Sequence, residues 1–360
     1  MLFGYPVSAA TSNNWLHECL CEILCSIHTS HTVTPLPVWP EIVPERYRKR
    51  LKSRKKTLGE KLNAYQKTLK NLTTTEQERI FQALHDQNEI ALLLSCQGNC
   101  DAITDLPKLI WEPVKELFKF AFQLLTELKI RDQHYEVIYD SVSDHVCPFC
   151  GCEYFDAPGS PREALDHYLA QSKYPFAASN LRNLVPMGNK CNSRYKMAQD
   201  ILTKDDGTRR KSFDPYSYNG TGIQLFLENS QPFAGKQTGT GQLPRWQIEF
   251  EPNSEEVLTW DEVFHIQERY KRDILDAEFK TWLGQFKYWC KSRNIVPSSD
   301  QELLDEIAGY ATYNESLGMS DRAFLRAAVF RMLHAHCNSG DQRLISFIRT
   351  VIGVGISTIN

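Results

Sequence analysis

Residues 145–196, HVCPFCGCEYFDAPGSPREALDHYLAQSKYPFAASNLRNLVPMGNKCNSRYK, constrain this chain more than any other stretch. A Cys-x-x-Cys pair (Cys147, Cys150) comes first and an Asp-His dipeptide (Asp166, His167) follows. After a loop containing Pro and Asn come Asn183 and a Cys-Asn dipeptide, Cys191-Asn192. Cysteines at that spacing are typical metal ligands in a reducing compartment. If Leu165–Leu169 is one arm of a β-hairpin, Asp166 and His167 point to opposite faces of it. Asn192 then starts a helix running to about Leu202, with its amide near the N-terminus, where anions are favoured.

These residue types are the ingredients of metal-dependent phosphodiester hydrolysis. Such cleavage needs a nucleophilic hydroxide and neutralisation of charge on the departing oxygen. An imidazole with an ordinary pKa near ~6.5 is largely neutral at pH 7 and can act as base, an effect of roughly 10²–10⁴-fold in rate. A hard cation such as Mg²⁺, or Mn²⁺ in its place, takes oxygen ligands and keeps several waters, so two protein oxygens suffice. Asp166 and Asn192 offer one anionic and one neutral oxygen to a cation acting as Lewis acid.

In the order of these residues the chain resembles the HNH endonucleases, the ββα-metal class, over about residues 145–215. The resemblance implies that Asp166 is a metal ligand, His167 the general base and Asn192 the second metal ligand. Asn183, in Asn183-Leu184-Val185, takes the position that braces the loop between hairpin and helix. It also implies a DNA substrate, 5′-phosphate products, and phosphate contacts from Arg194 or Lys196, with Lys173 a further basic neighbour. Family members with a structural zinc carry two Cys-x-x-Cys pairs. Cys147, Cys150 and Cys191 match three of those positions, while the fourth is Gly188. Zinc favours four ligands in a structural site, so Cys152 or His145 is the substitute, or the site has three ligands or is empty. The competing reading is a non-catalytic zinc knuckle that binds nucleic acid. Action on RNA is a further alternative, because nothing in the sequence selects deoxyribose.

A length of 360 residues exceeds one typical domain. Three segments are expected: an N-terminal helical domain (1–140), the nuclease core with its knuckle (141–215), and a C-terminal small sheet plus helices (216–360). The fold class is thus α+β and mostly helical. No apolar run approaches the length of a membrane span, and the first residues lack a secretory pattern, so a cytoplasmic protein is expected. The net charge of −3 argues against indiscriminate DNA binding. Locally, however, nine basic residues between Lys173 and Lys211 face only Asp200, Asp205 and Asp206, a strip suited to phosphate. Arg46–Lys56 (RYRKRLKSRKK) is either a second backbone contact or a solvated helix face.

Elsewhere the reading is structural. Thr75 and Glu78 have capping-box spacing before a helix to Leu94. Val114, Leu117, Phe118, Ala121, Leu124, Leu125 and Leu128 recur at helical spacing over Pro113–Ile130. Gly222–Leu227 and Arg245–Glu251 are strand-like, and helices resume from Trp260, over Gln301–Ala311 and over Ser320–His334. The aromatic residues of these helices are read as core, His134, His145, His265, His334 and His336 as structural, and Cys19, Cys21 and Cys25 as buried thiols. Large helical flanks around a small nuclease core resemble nuclease components of bacterial anti-phage or restriction systems, which work beside a regulatory ATPase or sensor protein.

Overall fold

A computed structural model describes residues 1–6, 10–29, 37–160, 165–217, 222–239 and 241–353. The chain is mostly helical with small antiparallel ladders, an α+β fold. It divides into two compact units. The first comprises Phe3–Phe149 and Glu153–Gly220, and the second Thr221–Asn360 with the short stretch Cys150–Cys152. The helical segment before residue 140 and the Asp/His/Asn part of residues 145–196 therefore belong to one unit, from which Cys150–Cys152 are split off.

The first unit is laid down around one long helix. Its helices are α1 (Trp15–Thr29), α2 (Glu45–Leu51), α3 (Glu60–Leu69), α4 (Thr74–Asp86), α5 (Ile90–Leu94), α6 (Lys108–Glu127) and α7 (Ile130–Ser141). In α6, Ile110, Val114, Leu117, Phe118, Ala121, Leu124 and Leu125 are buried along one stripe, as i, i+3, i+4 spacing demands. Helices α1, α3 and α7 pack on it. The expected start at Pro113 is wrong by more than a turn. Pro113 lies inside α6, where it has no N–H to give the Leu109 carbonyl at the usual i+4 spacing; residue 109 is 65% exposed, so water can serve instead. The capping box is also displaced: it is Thr73, whose hydroxyl accepts from Glu76 N–H while the Glu76 carboxylate accepts from Thr73 N–H.

Antiparallel strands β1 (Leu165–His167) and β2 (Leu184–Pro186) follow in the same unit, with Asp166 opposite Val185 and His167 opposite Leu184. The helix expected after Asn192 is far shorter than read. A π-type turn, Cys191–Lys196, ends at Met197, whose φ of 47° reverses the chain.

The second unit begins with β3 (Gln224–Phe226). The tiny β4 (Gln237–Thr238) and β5 (Gly241–Gln242) pair with each other, and β6 (Glu249–Glu251) pairs with β3. Its helices are α8 (Glu255–Phe264), α9 (Ile266–Arg269), α10 (Asp276–Ser292), α11 (Asp300–Ser316), α12 (Ala323–Asn338) and α13 (Gln342–Ile352). Helices α11 and α12 pack together, and α12 also covers β3. Most of the aromatic residues are core: the Phe286 and Phe330 rings lie 5.4 and 4.6 Å from that of Tyr310, whereas Tyr288 and Tyr313 are exposed. Of the C-terminal segment VIGVGISTIN, residues 354–360 lie outside the described residues.

Candidate functional site

The loop between β1 and β2 is pinned from several directions. Asn183 is fully buried. Its Oδ1 accepts from Leu169 N–H at 2.6 Å, and its Nδ2 donates to the carbonyls of Leu169 (3.0 Å) and Ala177 (3.3 Å). One amide side chain thus closes the loop on itself, as its complementary donor and acceptor allow. Residues at or just beyond helix ends hold the loop from outside. Gln87 accepts from Phe176 N–H at 3.0 Å, Asn14 accepts from Leu181 N–H at 3.0 Å, and Asn88 accepts from the Asn180 amide at 3.0 Å. The His17 ring lies 3.1 Å from the Ser179 hydroxyl. No spacing rule in the sequence marks Asn14, His17, Gln87 or Asn88 as part of this frame.

That frame fixes His167. Its Nε2 lies 3.0 Å from the Ala178 carbonyl. A carbonyl only accepts, so Nε2 carries the proton and Nδ1 keeps its lone pair. The half-buried ring lies 4.3 Å from that of Phe122 on α6, and the Arg131 guanidinium sits 4.3 Å over Phe122. Burial pushes the imidazole from 6.5 down to about 4; the Ala178 carbonyl opposes this, while Lys196 and Arg131 reinforce it. His167 is therefore neutral at pH 7.

On the neighbouring position Asp166 meets a cation from the chain itself. The Lys196 ammonium lies 2.8 Å from Asp166 Oδ2 and donates to the His167 carbonyl at 2.8 Å. The Lys196 side chain is 0% exposed and that of Asp166 13%. Burial raises the Asp166 carboxyl, and the Lys196 charge works against that rise. Lys196 therefore faces inward rather than outward to a polyanion. Asn192 lies on the same turn, four residues earlier and half-buried.

The basic strip is largely absorbed by internal partners. Lys173 pairs with Asp200 at 3.2 Å and Arg182 with Asp214 at 2.6 Å. Arg209 donates to the carbonyls of Leu202, Leu93 and Gly98. Lys190, Arg194 and Lys204 remain on the surface. The Arg46–Lys56 segment behaves similarly in part: Arg46 pairs with Glu22, Arg54 with Glu127 at 2.6 Å, and Arg50 stacks over Trp15.

A second cluster lies in the knuckle. Cys147, Cys150 and Cys191 are buried, and their sulfurs all lie within 4.8 Å of one another. None of the described cysteines forms a disulfide. Tetrahedral Zn–S bonds of about 2.3 Å put sulfurs roughly 3.8 Å apart, so this group can bind a metal such as zinc. Among the described residues it is the one group of three or more Cys, His, Asp or Glu ligand atoms this close. Cys152 is not part of it, since its Sγ donates to the Cys150 carbonyl at 3.0 Å. Nor is His145, stacked on Tyr139 at 3.8 Å. Cys96 and Cys100 stand outside it as well.

No protein-family model matches the chain, and neither a curated protein nor a solved structure matches it. Among the described residues no helix is long and apolar enough to cross a membrane.

Proposed function

We propose that this chain is a metal-dependent endonuclease of the HNH type that hydrolyses DNA phosphodiester bonds. The observation that carries the reading is the Asn183-pinned loop, which sets Asp166-His167 on β1 against the turn bearing Asn192 and Lys196. His167 Nδ1, lone pair outward from the Nε2–H···Ala178 bond, takes the proton from an attacking water. A phosphate anion beside the ring favours its protonated form and moves the pKa up toward the working pH. Arg194 and Lys190 are exposed and can contact the nucleic-acid backbone, whereas Lys173 and Lys196 are tied to Asp200 and Asp166.

Asp166 and Asn192 fit a hard divalent cation by donor type, and the Lys196 ammonium already marks a cation position at Asp166 Oδ2. When bound, Mg²⁺ or Mn²⁺ would supply charge neutralisation on the departing 3′-oxygen. Lys196 must then yield its place at Oδ2 or share the carboxylate.

One observation favours a second reading, a nucleic-acid-binding module without catalysis: Asp166 is already neutralised by a buried lysine. The two part company in a plasmid-nicking assay with Mg²⁺ or Mn²⁺, comparing wild type with His167→Ala and Asn192→Ala. Metal-dependent nicking lost in both variants supports the nuclease; binding without nicking by the wild type selects the module. RNA in place of plasmid tests the ribose alternative. A place in an anti-phage system, beside an ATPase or sensor, is an extension of this reading. It expects weak activity from the full chain alone, and strong unregulated cleavage counts against it.

A further inference from the structure

The three-sulfur group lacks a fourth ligand among the cysteines, yet structural zinc sites close with four. Two of its members, Cys147 and Cys150, are three residues apart; the matching partner of Cys191 at that spacing is residue 188, a glycine. The space where a side chain at 188 would begin is filled. A Cβ built on Gly188 would meet Glu153 Oε2 at 2.7 Å, and Cβ and Cδ of the same residue at 2.9 Å.

Glu153 is held there by both halves of the group. Its carbonyl accepts from Cys147 N–H at 2.7 Å, next to the Val146–Tyr154 bridge. Its carboxylate reaches across to the other half, accepting from Lys190 N–H at 3.0 Å and Cys191 N–H at 3.4 Å. A carboxylate oxygen is an ordinary zinc ligand at about 2.0–2.2 Å, and as an anion it carries the same charge as the thiolate it would replace. Neither carboxylate oxygen lies within 4.8 Å of all three sulfurs, so a side-chain rotation is part of the closure.

We propose that Glu153 is the fourth ligand of a Cys147–Cys150–Cys191 zinc site, its carboxylate standing where a side chain at position 188 would otherwise reach the metal. The proposal rests on the three cysteines holding zinc and is independent of whether the chain cuts DNA.

The test uses the full-length chain, its zinc content, X-ray absorption at the zinc edge, and the rate at which a chelator removes the metal. Wild type should hold one zinc with three sulfurs near 2.3 Å and one oxygen near 2.0–2.2 Å. Glu153→Cys should convert the shell to four sulfurs. Glu153→Ala should release zinc roughly tenfold faster or more, at least the loss typical of supporting residues around a metal. Adding Gly188→Cys to Glu153→Ala, which clears the atoms that crowd residue 188, should restore retention with four sulfurs. A wild-type shell of four sulfurs overturns the proposal, as does unchanged zinc release in Glu153→Ala, which would make the oxygen a water. If Glu153→Ala does not fold, the shell of Glu153→Cys decides: three sulfurs and one oxygen there overturn it. A wild-type chain that takes up no zinc refutes the underlying site itself, a result distinct from zinc held without Glu153.

Discussion

Replacing Lys196 by Met tests the centre of the site, because the stem is kept and only the charge is lost. Removing one member of a buried ion pair costs roughly 3–5 kcal/mol, since the other charge is left without compensation. Lys196 is fully buried but Asp166 retains 13% exposure, so the lower end, ~3 kcal/mol, applies. The lost bond to the His167 carbonyl is part of that figure. Asp166→Asn in the Lys196→Met background should recover all but about 1 kcal/mol, because a neutral pair leaves no buried charge. The sign with pH follows from Asp166: burial already raises its carboxyl, and without Lys196 it rises further. The deficit of the single variant is therefore largest above that raised pKa and shrinks as pH falls through it, when the carboxylate takes up a proton. Two units need not unfold together, so the assay is urea-dependent hydrogen exchange read at the β1 and β2 amides, at pH 7 and pH 5. Added Mn²⁺ should restore part of the stability of Lys196→Met by mass action, about 2.7 kcal/mol at one hundred times its dissociation constant. The reasoning is refuted by a Lys196→Met protein as stable as wild type at pH 7, or by a double variant no better than the single one.

Two further outcomes follow from the same frame. Burial holds His17 and His167 at about 4 against 6.5 in the unfolded chain, so the unfolded state binds more protons between those values. Stability present above pH 6.5 should fall as pH drops toward 4, by up to about 3 kcal/mol per residue; a pH series of urea midpoints in which His17→Gln flattens the slope checks it, and an unchanged slope contradicts it. Asn183→Ala leaves Leu169 N–H and the carbonyls of Leu169 and Ala177 without their partner. At roughly 1–3 kcal/mol for each unsatisfied buried group it should destabilise the first unit by about 3–5 kcal/mol, seen as faster exchange at Leu169 and loss of any nicking activity.

The helices were legible because burial recurs with the helical period, and α6 buries Val114, Leu117, Phe118, Ala121, Leu124 and Leu125 as that period requires. Their ends were not. Thr73-Thr74-Thr75 and the glutamates at 76 and 78 offer the capping spacing twice. The structure takes the earlier pair, a choice that depends on where the chain enters the bundle. Within the site, the Cys147–Cys150 spacing is a local arrangement with a residue pattern of its own, so it could be read; a bracing Asn183 comes from the resemblance alone, which puts it between hairpin and helix, whereas it closes the loop between β1 and β2. The Lys196–Asp166 pair joins residues 30 positions apart, and nothing in either neighbourhood announces it. A run of lysines and arginines therefore reads as a surface for phosphate until tertiary packing assigns each charge a partner. Here Lys173, Arg182, Lys196 and Arg209 are all turned to partners within the chain. The same rule makes Glu153 invisible in the sequence. Its role is set by the absence of a side chain at Gly188, 35 residues on, and only the folded distance of 2.7 Å connects the two.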